Sequence, residues 1–208
     1  SLDSLAARLA AQALLAATLV GVAFGVGGDT LRGASAGVAM GLRKPLRSPW
    51  GRAAAAYLAY VVFAVAVLSM QLEDWPNAES NLKRLLDLGY ADRNSVRYYL
   101  GQVSEEQKRF PEALQWYGEV TRSEQFMPAQ IRSAQVMSKQ GDLDGARKYL
   151  QNVSAANSEQ RAQLIIAEAQ LLRDANRQKE AFDVLEHGLG QLPNNPELLY
   201  DHAMLAEK

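Results

Sequence analysis

The sequence predicts an all-α fold, a right-handed α-solenoid of stacked helical hairpins, and three observations predict it. A seven-residue window recurs: Leu72-Glu73-Asp74-Trp75-Pro76-Asn77-Ala78 is matched by Gln107-Lys108-Arg109-Phe110-Pro111-Glu112-Ala113, then by the windows ending at Ala146 and Ala181. These closing alanines stand 35, 33 and 35 residues apart, and each is followed four residues later by Leu82, Tyr117, Leu150 or Leu185, which places each pair on one helix face. Twelve residues before each alanine comes another small residue, Ala66, Gly101, Ala134 or Ala169, where a second helix approaches closely. A period of this length marks units that cannot bury their own apolar face and stack on their neighbours.

Residues 1–58 come first and differ in kind. They hold six of the 22 Lys+Arg (Arg8, Arg32, Arg43, Lys44, Arg47, Arg52) and two of the 23 Asp+Glu (Asp3, Asp29), with no repeat phase. Leu9 to Gly28 is interrupted only by Gln12 and Thr18, and Ala53 to Met70 carries no charge, so either run is long enough to span a bilayer. Two spans around Arg43-Lys44-Pro45-Leu46-Arg47 would put that basic loop in the cytoplasm and the repeats outside it. Alternatively, the segment caps the array as one or two packed helices. Val62, Val65, Ala66 and Ser69 occupy the positions that Arg97, Leu100, Gly101 and Ser104 occupy one repeat later, so Tyr60 to Leu72 reads as a repeat helix buried between neighbours. A cleavable leader (Arg8, an apolar stretch, Ala34-Ser35-Ala36) and an irregularity of the sequence itself are further alternatives. Gly25-Val26-Gly27-Gly28 lacks the lysine of a phosphate loop and reads as a helix stop.

Four repeats follow within 59–208, near 59–93, 94–126, 127–161 and 162–195, with a lone helix over 196–208. Pro76 and Pro111 sit just inside second helices, where a missing N–H costs nothing. Asn94-Ser95-Val96-Arg97-Tyr98-Tyr99-Leu100-Gly101, with Phe110-Pro111-Glu112-Ala113-Leu114 and Tyr117, resembles the tetratricopeptide repeat, a helix-turn-helix unit; so does Ala181 with Leu185, closed by Leu192-Pro193-Asn194-Asn195-Pro196. The third unit departs from the pattern, with Gln130 and Ser133 where it prefers apolar residues.

Composition excludes several functions. The acidic balance after residue 58 argues against nucleic acid, whose phosphates demand clustered basic charge. There is no cysteine, so disulfides and thiolate metal sites are excluded. The two histidines, His187 and His202, have no convergent partners at catalytic or metal-ligating spacing, so no catalytic residue, cofactor or metal is expected and the chain is read as a non-enzyme. Trp75, Phe110, Trp116, Tyr117 and Phe182 read as packing between repeats, and Glu105-Glu106-Gln107-Lys108-Arg109 as a solvated face.

The resemblance implies a protein-binding scaffold whose concave surface is lined by the first helix of each unit. Its groove-facing rows are Tyr98, Ile131, Ile166 and Tyr200, with Gln102, Gln135 and Gln170 one turn along. The aromatic and apolar side chains would supply contact, and the glutamines would bond a peptide backbone in either direction. Relatives that clamp the carboxylates of chaperone tails carry Lys and Asn in these rows; this chain does not. Leu85-Leu86-Asp87-Leu88-Gly89-Tyr90, Tyr99-Leu100-Gly101-Gln102, Ala167-Glu168-Ala169-Gln170-Leu171-Leu172 and Leu199-Tyr200-Asp201 are similar to proteobacterial cell-envelope repeat proteins, including adaptor lipoproteins. That implies the periplasmic side, with the cytoplasm as the other location. The runner-up is a membrane-anchored subunit of an exopolysaccharide secretion system. An unpaired last helix also invites self-association through its apolar end.

Overall fold

The computed structural model describes residues 49–206, with side chains from 57 onward. Expectations placed on 1–48, including the run 9–28 and the basic loop 43–47, lie outside the described residues. Among those described there are nine α-helices and no strand. The chain forms two compact units, 1–93 and 94–208.

In the first unit, α1 (Pro49–Gln71) packs against α2 (Trp75–Asp87). Ala66 and Ser69 of α1 and Ala78, Leu82 and Leu85 of α2 are buried, and Phe63 stacks on Tyr90 with ring centroids 5.8 Å apart. The opposite face of α1 leaves Tyr57, Leu58, Tyr60, Val65 and Leu68 exposed, and Leu72 just beyond its end is 71% exposed. Cover for Tyr60 to Leu72 is expected from residues 1–58, of which 1–48 lie outside the described residues. Among the described residues of this unit α1 packs against α2. No helix among the described residues is long and apolar enough to cross a membrane. The uncharged run 53–70 begins four residues before the first described side chain.

The second unit is built from α3 (Arg93–Glu106), α4 (Phe110–Gly118), α5 (Phe126–Lys139), α6 (Leu143–Asn152), α7 (Ser158–Asp174), α8 (Gln178–Gln191) and the lone α9 (Pro196–Ala206). Each hairpin closes in the same way. Arg109 N–H reaches back to Ser104 C=O at 2.8 Å, Asp142 to Met137 at 3.1 Å and Arg177 to Leu172 at 2.8 Å. These six-to-one bonds require the residue before each donor to turn left-handed, and Lys108 (φ 59°), Gly141 (φ 91°) and Asn176 (φ 59°) do so. The same turn closes α1 at Glu73 (φ 56°). The next residue then starts the second helix. Asp74 and Asp142 cap theirs by accepting from the Asn77 and Gly145 N–H groups, whereas Arg109 and Arg177 make no cap bond and instead pair with Glu112 and Glu180 three residues on.

The core runs through the repeat positions. Ala113, Tyr117, Val120, Ala129 and Val136 form one cluster; Ala134, Ala146, Leu150, Leu164 and Leu171 a second; Ala169, Leu172, Ala181, Leu185 and Leu198 a third. Gly101 exists because the Tyr117 ring fills the space a β-carbon there would need. The polar positions of the third repeat are buried but satisfied: Tyr149 Oη donates to Gln130 Oε1 at 2.5 Å, and Ser133 Oγ donates to Ala129 C=O at 3.0 Å.

Candidate functional site

The first helices α3, α5, α7 and α9 carry all seven expected groove residues. Helix α5 touches α7, and α7 touches α9, so residues at equal register on them form a row. Tyr98, Ile131 and Ile166 are half-buried and Tyr200 is 66% exposed. Each of the first three has its inner side on a core cluster: Tyr98 against Tyr117, Ile131 against the middle cluster, Ile166 against the last. They offer one edge to the surface and spend the other on packing. The glutamines differ among themselves. Gln102 Nε2 donates to Tyr98 Oη at 3.2 Å, and Gln170 is held between Asp174 and Arg173 on its own helix. Gln135 is half-buried.

Between α3 and α5 lies a charged cluster that the reading of the sequence left out. Glu105 is 3% exposed rather than solvated. It accepts from Tyr117 Oη at 2.8 Å and Lys139 Nζ at 2.7 Å, and pairs with Arg132 at 3.5 Å. Two cations on one face of α5 thus share one buried carboxylate, with Tyr98 beside them. Burial opposes the Arg132 charge, but Glu105, Tyr117 and Tyr98 together outweigh it and hold the guanidinium above its usual value. Burial, and then the Glu105 carboxylate, push Tyr117 far above the usual tyrosine range, so its hydroxyl remains a donor. The signal was present in the sequence: Glu105 stands four residues after Gly101 and so on the same helix face, and Tyr117 follows Glu105 at the twelve-residue offset that relates Ala113 to Gly101.

The histidines do not converge. His202 stacks on Phe182 at 4.3 Å between ring centroids, and His187 is exposed on α8. Among the described residues no group of three or more His, Asp and Glu is placed to hold a metal ion.

Comparison with known proteins follows the same periodicity. The tetratricopeptide repeat profile matches residues 66–125 and 132–196. The TPR repeat-containing protein PA4667 of Pseudomonas aeruginosa is 35% identical over 115 residues, which cover 55% of this chain and 20% of that relative. The chain therefore spans about a fifth of the length of the curated relative it matches. Among solved structures, a putative kinesin light chain from Podosopora anserina with nearly identical TPR-like repeats superposes with a TM-score of 0.54 at 16% identity, covering 91% of this chain and 98% of that one. YrrB, described as a TPR protein with an unusual peptide-binding site, gives 0.46 at 17% identity, with 69% and 73% covered.

Proposed function

The chain belongs to the tetratricopeptide repeat family, and from that premise we propose that it is a non-catalytic scaffold which holds an extended or helical segment of a partner protein along its first helices. The observation that carries this reading is the row Tyr98, Ile131, Ile166 at equal register on α3, α5 and α7, each anchored in the core and half-open, with Gln135 beside it as a backbone-bonding group. Anchors fixed by packing lose little freedom on binding. The test is retention of a defined protein from a bacterial extract by the immobilised chain, followed by competition. The reading requires that Tyr98→Ala with Gln135→Ala abolish retention while Lys83→Ala on α2 leaves it intact; retention indifferent to the groove pair rejects it.

The setting proposed is a bacterial envelope complex, on the periplasmic side. The likeness to a Pseudomonas aeruginosa repeat protein supports the bacterial part of this reading, and the envelope part rests on the sequence resemblance of segments such as Leu85-Leu86-Asp87-Leu88-Gly89-Tyr90. The exposed apolar side chains of α1, which belong to the uncharged run 53–70, favour a second reading as the membrane-anchored subunit of a secretion system. Fractionation separates the two: resistance of the full chain to carbonate extraction supports the anchored form, and release into the soluble fraction supports the adaptor. Self-association through α9, whose Leu199, Tyr200 and Met204 are exposed, belongs to the same proposal and is read by sedimentation.

A further inference from the structure

The second helices carry a site of a different kind. Helices α6 and α8 both pack on α7 and leave between them an open cleft of about 400 Å³, lined by all three. Two contacts set its register. Ile165 of α7 packs on Gly188 of α8, where an added β-carbon would come within 2.7 Å, and Arg161 Nε donates to Gln191 Oε1 at 3.4 Å. Arg161 therefore marks one end. Glu168, seven residues further along α7 and so about 10 Å away, marks the other.

The two ends are oppositely charged. At the Glu168 end, Arg147 Nε meets Glu168 Oε1 at 3.1 Å and its Nη1 meets Glu180 Oε2 at 3.4 Å, while Arg177 pairs with Glu180 from outside the cleft. These arginines answer Glu168 and Glu180. Asp183, on the same wall, makes no ion pair among the described residues and is the excess charge. At the far end, the Arg161 guanidinium is held, among the described residues, by the Gln191 amide. Leu164, Ile165 and Val184 form an apolar floor between them. Glu168 itself breaks the repeat: it stands where the second repeat has Leu100 and the third Ser133, yet is 7% exposed. A carboxylate at a position built for an apolar side chain departs from the pattern that serves folding alone, and such departures concentrate at functional sites.

We propose that this cleft is a second peptide-binding site, distinct from the first-helix row, for an extended segment with a basic and an acidic residue four positions apart and an apolar residue midway between them. Asp183 stands eight residues before Gln191 on α8, so the Asp183 and Arg161 ends lie about 12 Å apart along that helix. Four steps of extended chain cover about 13 Å, and the first, third and fifth side chains then face the same side. The basic side chain meets Asp183, the acidic one meets Arg161, and the apolar side chain lies on the Leu164 and Val184 floor. A volume near 400 Å³ is within the usual range for such sites.

The test is a titration of the ¹⁵N-labelled full chain with acetyl-Arg-Ala-Leu-Ala-Glu-amide, in which Arg, Leu and Glu share one face of the extended chain, read by amide shifts. Saturable shifts at Glu168, Asp183 and Gly188 are expected, with the doubly basic and doubly acidic peptides weaker by about tenfold, since like charges then face one end. Asp183→Lys and Arg161→Glu should each weaken the mixed-charge probe by about tenfold, because each sets like charges against one end of it, whereas Tyr98→Ala should leave it unchanged. Comparison of the three peptides on the wild-type chain does not depend on how any variant folds. Absence of saturable shifts, equal response to all three peptides, or undiminished binding by a folded Asp183→Lys would overturn the proposal.

Discussion

Tyr117 Oη donates a 2.8 Å hydrogen bond to Glu105 Oε2, and through that carboxylate the second helix of one repeat is joined to Lys139 and Arg132 on the first helix of the next. The bond is buried, the ring is fully enclosed, and Gly101 gives it room. A hairpin and its successor are thus registered by a polar link inside an otherwise apolar stack.

Tyr117→Phe should cost about 1–3 kcal/mol, the penalty for leaving a buried acceptor short of one donor, with the ring packing retained. Gly101→Ala should cost more, because its β-carbon meets the ring itself. Urea denaturation of the two variants ranks them, and the reverse order would contradict this account of the link.

The same link predicts a response to alkali. Tyr117 is raised above the ordinary value of 10.0 in the folded state, so its contribution is complete below pH 10 and drains as pH climbs beyond it, when the unfolded tyrosine ionises and the folded one does not. Stability should fall above pH 10 by up to about 1.4 kcal/mol per pH unit from this group. Tyr117→Phe should lack that component of the slope.

At the turns, Gly141→Ala should destabilise by about 1 kcal/mol from backbone conformation alone, since φ is 91° and nothing lies within 4 Å of the added carbon. Lys108→Gly, at the equivalent turn, should be neutral or stabilising because the lysine already bears that strain. Thermal melts of both variants check the pair.

Arg147→Ala should cost about 3 kcal/mol, because among the described residues Glu168 then keeps the Gln151 amide at 2.8 Å for a nearly buried charge. Glu168→Leu, which restores the residue type of Leu100, should cost less than Arg147→Ala. A larger loss for the leucine variant would show that the ion pair stabilises the stack on balance.

The repeat period made the hairpins legible because alanine, its partner four residues on and the small residue twelve before are each forced by close helix approach. Helix bounds followed from Pro76, Pro111 and the turns. Of the four left-handed residues between paired helices of a hairpin, Gly141 and Asn176 advertise themselves, while Glu73 and Lys108 do not, because the six-to-one bond imposes the conformation on whatever side chain is there. Glu105 was hidden by its neighbours: a charge run reads as solvated unless the face of each member is followed separately. The cleft beside Glu168 required the register of α7 against α8, which depends on Gly188 meeting Ile165 and has no local signature.

If partners bind along the first helices, calorimetric titration of the retained partner into wild type and Tyr98→Ala, Gln135→Ala chains separates the anchors from the rest of the surface. The account predicts a loss of about 1–3 kcal/mol at Tyr98, as for an interface anchor, with the variant still folded by its melting temperature. Unchanged affinity in the folded double variant would contradict it.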